Sequence, residues 1–159
     1  MIKSSIIVCS LLFFVGCSNT TIQSTIVKEN NKSGLIDKTG KIILKTTYKS
    51  VEFYEHPDNL DIHFNNSNKY LLVQDTDNKY GIVNSSGIYL LKPIFDKINP
   101  FFNGYAKVMV NGKYGLINKD FKIVVKPKYH EIEEFIGNIA IIRQNNKYGC
   151  IDKDTNILI

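Results

Sequence analysis

Asn111-Gly112-Lys113-Tyr114-Gly115-Leu116-Ile117-Asn118 decides the fold, because the chain says it four times. The other copies are Asn30-Asn31-Lys32-Ser33-Gly34-Leu35-Ile36-Asp37, Asp77-Asn78-Lys79-Tyr80-Gly81-Ile82-Val83-Asn84 and Asn145-Asn146-Lys147-Tyr148-Gly149-Cys150-Ile151-Asp152. Gly81, Gly115 and Gly149 are spaced by 34 residues; Gly34 precedes Gly81 by 47, so the first interval carries 13 extra residues. A period near 34 also belongs to paired-helix repeats. Here, however, the runs between turn signals are about five to seven residues long and rich in Ile, Val and Tyr, which suits strands.

Turn chemistry divides each copy. Asn-Asn, Asp-Asn or Asn-Gly begins four residues before each repeat glycine. These pairs favour the type I′ hairpin turn, whose two central residues both need positive φ. A second signal follows in Asp37-Lys38-Thr39-Gly40, Asn84-Ser85-Ser86-Gly87, Asn118-Lys119-Asp120-Phe121 and Asp152-Lys153-Asp154-Thr155. Asp or Asn at the first position suits a type I turn, as does Gly at the fourth. Each unit is therefore expected to be a three-stranded meander. Its first strands fall at 21–28, 69–74, 105–110 and 139–144, its second strands contain the repeat glycine, and its third strands fall at 41–44, 88–92, 122–126 and 156–159. Pro93 and Pro127 are expected to close the third strand, since proline cannot donate to the ladder.

Between units lies an aromatic–aliphatic–aromatic pattern with a spacing of three: Tyr48, Val51 and Tyr54; Phe95, Ile98 and Phe101; Tyr129, Ile132 and Phe135. That spacing predicts a short helical turn or curled loop folded onto the sheet. Within strands, alternation places Tyr114 with Leu116 on one face and Gly115 with Ile117 on the other. A glycine in mid-strand marks a bulge or a close backbone approach. A unit this small cannot bury its apolar faces alone, so neighbouring units must stack. The expected fold is all-β: a tandem array of four three-stranded antiparallel meanders, open or curved. A regular propeller is set aside because its blades usually have four strands.

Lys-Tyr-Gly-(Leu/Ile)-(Ile/Val)-(Asn/Asp), followed by an aliphatic strand and Lys-Pro-x-(Phe/Tyr)-x-x-Ile-x-x-Phe, resembles the WG repeat of bacterial β-repeat proteins. This chain has no Trp. Tyr80, Tyr114 and Tyr148 stand at that position, with Ser33 in the most degenerate first unit, and Gly34, Gly81, Gly115 and Gly149 complete the defining set. The resemblance implies a β-rich, often exported domain with no common enzymatic activity.

The first residues read differently. Met1-Ile2-Lys3-Ser4-Ser5, an apolar run from Ile6 to Val15, and Gly16-Cys17-Ser18-Asn19 describe a secretory signal. The run is too short to span a bilayer, which takes about 20 residues. Phe14-Val15-Gly16-Cys17 resembles the lipobox of bacterial lipoprotein precursors, with Phe14 where Leu is usual. The resemblance implies cleavage before Cys17 and lipid on its thiol. Ser18 resembles the pattern of lipoproteins sent to the outer membrane of Gram-negative bacteria. The expected organisation is a signal at 1–16, a lipidated tether at 17–21 and the repeat domain at 22–159. The expected location is the cell envelope, on a membrane through Cys17.

Apolar content of 43% and charged content of 22% fit a folded domain. The net charge is +5, falling to +4 once Lys3 leaves. The lysines recur at turns rather than in a block, which fits a solvated surface and not a nucleic-acid patch. With Cys9 in the signal and Cys17 lipidated, Cys150 is the one remaining thiol, expected as a small buried hydrophobe.

No constellation predicts catalysis, a metal or a cofactor. His56, Asp58, Asp61 and His63 lie in the long first interval, without a spacing that fixes a metal geometry. Asp152-Lys153-Asp154-Thr155-Asn156 starts like a calcium loop but has Ile157 where glycine is required. Glu131, Glu133 and Glu134 stand beside His130, and paired carboxylates serve glycosidases, yet the preceding copy has Lys97 and Asn99 in two of those places. Phe101, Phe102, Tyr105, Tyr48, Phe53 and Tyr54 are expected mostly in the core. The expected function is a non-catalytic binding module for an envelope protein or glycan. The alternatives are an inhibitor or immunity-type protein and, further off, an envelope hydrolase using Glu131, Glu133 and Glu134 or His56 and His63. The oligomeric state is open.

Overall fold

Positive-φ residues set the hairpins. In a computed structural model of the chain, which describes residues 24–55 and 70–158, Asn30 and Asn31 (φ 48° and 60°), Asn111 and Gly112 (51° and 70°) and Asn145 and Asn146 (50° and 60°) form two-residue turns. They join β1 (Ser24–Glu29) to β2 (Lys32–Asp37), β9 (Tyr105–Val110) to β10 (Lys113–Asn118), and β13 (Ile139–Gln144) to β14 (Lys147–Asp152). The second copy departs from the expected type I′ turn. Between β5 (Tyr70–Gln74) and β6 (Tyr80–Asn84) only Asn78 has positive φ. The cause is Asp75, whose Oδ1 accepts from the Asp77 and Lys79 N–H groups, each at 2.9 Å. That cap favours a longer loop ending in one left-handed residue.

The second turns follow one design. Asp37 Oδ1 accepts from Thr39 and Lys41 N–H, Asn84 from Ser86 and Ile88, and Asn118 from Asp120 and Lys122, all at 2.8–3.0 Å. Asp152 Oδ1 accepts from Asn156 N–H at 2.8 Å, so the residues that began like a calcium loop are spent on a turn. The left-handed slot holds Gly40, Gly87, Phe121 and Thr155. For Phe121 (φ 58°) that conformation costs about 1–2 kcal/mol. Burial of its ring offsets the cost: it is 6% exposed, edge-on to Tyr70 and Phe101 at 4.9 and 5.8 Å.

The third strands are β3 (Ile42–Tyr48), β7 (Tyr89–Phe95) and β11 (Ile123–Tyr129). They run on through Pro93 and Pro127 rather than stopping there. Register explains why the prolines are tolerated. Ile82 pairs with Leu91 and Tyr80 with Phe95, so Gly81 alone faces three residues of β7. The same bulge stands over Gly115 and Gly34. A proline in a bulge gives up no ladder bond. The bulge also explains the glycine: a Cβ on Gly81 would lie 2.8 Å from Pro93 N, and one on Gly115 would lie 2.7 Å from Pro127 N. In the fourth unit the third strand shrinks to a bridge between Ile151 and Ile157.

The connectors are not helical, as no described residue is. After Tyr48, Phe95 and Tyr129 the chain turns a corner at one residue and enters the next sheet as β4 (Ser50–Phe53), β8 (Lys97–Ile98) and β12 (Glu131–Ile132). Alternation along each strand plus one corner residue yields the spacing of three. The four sheets are β1-β2-β3, β4-β5-β6-β7, β8-β9-β10-β11 and β12-β13-β14, all antiparallel. The two inner sheets thus have four strands, so strand count is no argument against a propeller.

Each sheet is buried by its neighbours. Leu35 and Leu44 of the first sheet meet Val51, Leu71, Val73 and Val83 of the second. Tyr54, Ile82, Leu91 and Phe95 of the second meet Ile98, Ala106, Val108, Ile117 and Phe121. Leu116, Val125 and Tyr129 of the third meet Ile132, Phe135, Ala140, Ile142 and Ile151. Ile117 therefore points to the preceding sheet and Leu116 to the following one, as the alternation predicts. Among the described residues no buried cluster joins the fourth sheet back to the first, and no sheet closes into a barrel. The fold is an open all-β tandem array.

Candidate functional site

The corner residues tie one sheet to the next. Asp96 pairs with Lys79 of the sheet before it and accepts at 2.5 Å from the Asn111 N–H of the turn after it. The Lys79 ammonium holds the Asp96 carboxyl below the usual carboxylate range. One repeat on, His130 does the same work: its Nε2 lies 2.6 Å from Lys113 Nζ, and its Nδ1 accepts from Asn145 N–H at 3.3 Å. In the first corner Lys49 reaches Asn78 Oδ1. Sequence reading missed this role because three unlike side chains fill it.

The acidic cluster is likewise bound to cations. Glu131 pairs with Arg143, and that hydrogen bond pulls its carboxyl below the ordinary range. A general acid needs the opposite shift. Lys107 Nζ bridges Glu133 at 3.2 Å and Glu134 at 3.6 Å, and these carboxylates raise the Lys107 ammonium against the opposing effect of its burial. An open cleft of about 230 Å³ runs past Asn99, Lys107, His130, Glu131 and Glu133. Of its polar groups, Lys107 and Glu133 pair with each other, Glu131 pairs with Arg143 and His130 with Lys113, while the Asn99 side-chain oxygen is buried without a hydrogen-bond partner.

The aromatics divide. Tyr54 is buried, donates from its hydroxyl to Asn99 O at 2.6 Å and packs edge-on to Phe101; burial pushes its phenol up. Tyr105 packs against Phe135, and the Tyr48 hydroxyl meets that of Tyr89. Phe53 and Phe102 are exposed. Cys150 is half-buried rather than buried, because it occupies the position of Leu116 in a sheet with none stacked beyond it among the described residues. Cys17, His56 and His63 lie outside the described residues.

Six of the exposed apolar side chains lie on or beside one set of edge strands. β3, β7 and β11 hold equivalent edge positions in successive sheets. The last residue before β7 and the strand itself expose Ile88, Tyr89, Leu90 and Ile94, and β3 and β11 expose Ile42 and Ile123. The second sheet is the centre of this rim.

Stacked antiparallel sheets, the first three each pinned by a glycine beneath a bulge, define a tandem β-repeat protein. The family model for the WG containing repeat matches residues 34–57, 80–114 and 114–148, more than half of the chain. The chain belongs to the WG repeat family, with Tyr in the place of the family's Trp. Among curated proteins none matches it. Among solved structures, the crystal structure of HIRA(644-1017) is similar over 84% of this chain and 51% of that one, at 11% identity and a TM-score of 0.37. This chain thus spans about half the length of that one.

Proposed function

We propose that the protein is a non-catalytic binding module of the bacterial cell envelope, held to a membrane by lipid on Cys17 and presenting its repeat edge to an envelope protein or glycan. The observation that carries the binding role is the rim on β7, where Tyr89 is 40% exposed, Leu90 37%, Ile94 53% and the adjoining Ile88 61%. Contiguous exposed aliphatics beside an aromatic mark interaction sites on folded proteins. The family supports a repeat scaffold. The ion pairs around Glu131, Glu133 and Glu134 support an organising role for these carboxylates over an acid–base one.

The anchor rests on the lipobox resemblance. One acyl chain holds a protein marginally and two or more hold it firmly, at about 0.8 kcal/mol for each buried CH₂. Cys17→Ala is expected to leave an uncleaved precursor and no membrane-held mature form in fractionated cells. Membrane retention unchanged by that substitution would overturn the anchor. For the rim, a photo-crosslinking residue at position 90 is expected to capture one defined envelope component. The same probe at Glu52, exposed on β4 at the opposite edge of that sheet, is expected to capture none; equal capture at both positions would remove the rim from the proposal.

A further inference from the structure

Both ends of the array keep the chemistry of its interior interfaces. On the fourth sheet, the face turned away from the third exposes Tyr148 by 72%, Ile141 by 51% and Ile139 by 47%, with Cys150 half-buried among them. These are register partners on one face: Ile141 stands opposite Cys150 and Ile139 opposite Asp152. At the Cys150 and Tyr148 positions the equivalents one and two repeats earlier are covered by the following sheet. Ile82 and Leu116, at the Cys150 position, are fully buried, and Tyr80 and Tyr114, at the Tyr148 position, pack against the core formed with the following sheet.

The first sheet carries the complement. On its face away from the second sheet stand Val27 and Ile36, both half-buried, with Thr25 exposed beside them. The equivalents of Val27 are Val73, Val108 and Ile142; those of Ile36 are Val83, Ile117 and Ile151. All six are buried, and all point to the preceding sheet. So the first sheet retains aliphatics suited to a sheet before it, and the fourth retains an aromatic–aliphatic face suited to a sheet after it.

We infer that a second copy of this chain docks head to tail, the outer face of the first sheet of one copy seating on the outer face of the fourth sheet of another. Three interfaces within the chain already use this pairing, and each joins the face bearing the first residue after the repeat glycine (Leu35, Ile82, Leu116) to the face bearing the second (Val83, Ile117, Ile151), never two like faces. That regularity favours head-to-tail docking over a symmetric contact between two fourth sheets. A head-to-tail contact is heterologous; it closes into a ring or extends, according to the rotation between copies.

Sedimentation velocity on the purified full chain, from about 1 to 100 µM (the range that resolves weak self-association), tests this. The mass is expected to rise with concentration. Ile141→Glu and Val27→Glu should each hold the chain at one copy throughout, with circular dichroism and melting temperature near those of the parent. Mixed one to one, the two variants should form a dimer and nothing larger, because each keeps one intact face. If either variant folds poorly, Tyr148→Lys and Thr25→Arg take their places. A parent chain that stays at one copy over the range overturns the inference. So does an Ile141→Glu variant that dissociates while Val27→Glu does not, which would mean fourth sheets meeting each other. Rapid Cys150–Cys150 disulfide formation between copies under mild oxidant would point to the same contradiction.

Discussion

The third and fourth sheets carry almost the same words and end in different states. Lys113-Tyr114-Gly115-Leu116-Ile117 and Lys147-Tyr148-Gly149-Cys150-Ile151 form the same strand with the same hairpin partner. Ile117 and Ile151, both turned to the preceding sheet, are fully buried. On the other face Leu116 is fully buried, whereas Cys150 is half-buried and Tyr148 is 72% exposed. Position in the stack, not residue type, decides which face is core. A repeat strand has two potential core faces, and each is realised when a neighbour arrives.

That comparison breaks hardest at the glycine under the bulge. Gly115→Ala would press a Cβ into the β11 backbone at Pro127, and backbone cannot move aside as a flexible side chain can. A loss of about 3 kcal/mol or more is expected, read as a fall in the urea midpoint. A cost below about 1 kcal/mol would show that the bulge does not seat on the glycine.

Next comes the paired truncation of the two outward positions. Leu116→Ala should cost about 2–5 kcal/mol, the usual range for a buried leucine. Cys150→Ala, at the same repeat position, should cost about 1 kcal/mol or less. Equal losses in chemical denaturation of dilute protein would mean that the fourth sheet is covered as fully as the third.

The smallest effect distinguishes the end units from the middle ones by pH. The second turns use Asp37 and Asp152 at the ends but Asn84 and Asn118 in the middle. Hydrogen bonds from Thr39 hold the Asp37 carboxyl below its ordinary value of 3.8, and those from Asn156 do so for Asp152. Their folded values lie below their unfolded ones, so this contribution is present above about pH 4 and is lost as pH falls through the depressed folded values. Amide exchange at Lys41 and Asn156 should therefore rise at low pH relative to Ile88 and Lys122, after correction for intrinsic rates. A parallel change at all four positions would contradict this.

What the sequence made legible follows the same division between local and distant causes. The Asn-Asn and Asn-Gly turns were readable because positive φ is a property of the residues themselves. The glycine was readable as a close approach for the same reason. The corners were not. Tyr129, Ile132 and Phe135 are all buried, as their pattern suggests, but their spacing of three arises from a strand crossing between sheets and not from a helical turn. Pro93 and Pro127 looked like strand ends because the bulge that accommodates them exists only opposite Gly81 and Gly115. The exposure of Cys150 depends on what lies beyond the fourth sheet, which no local pattern records. Among candidate site residues, the ties of Glu131 to Arg143 and of His130 to Lys113 come from tertiary contacts that spacing alone does not reveal.

Adjacent residues after the repeat glycine serve two different cores. Methyl-specific NMR tests this directly, through cross-peaks from the Leu116 and Ile117 side chains of one strand. Leu116 methyls are expected to show cross-peaks to the fourth sheet, in the group Ile132, Ala140, Ile142 and Ile151, and Ile117 methyls to the second, in the group Ile82 and Leu91. Cross-peaks from both residues to a single sheet would contradict this.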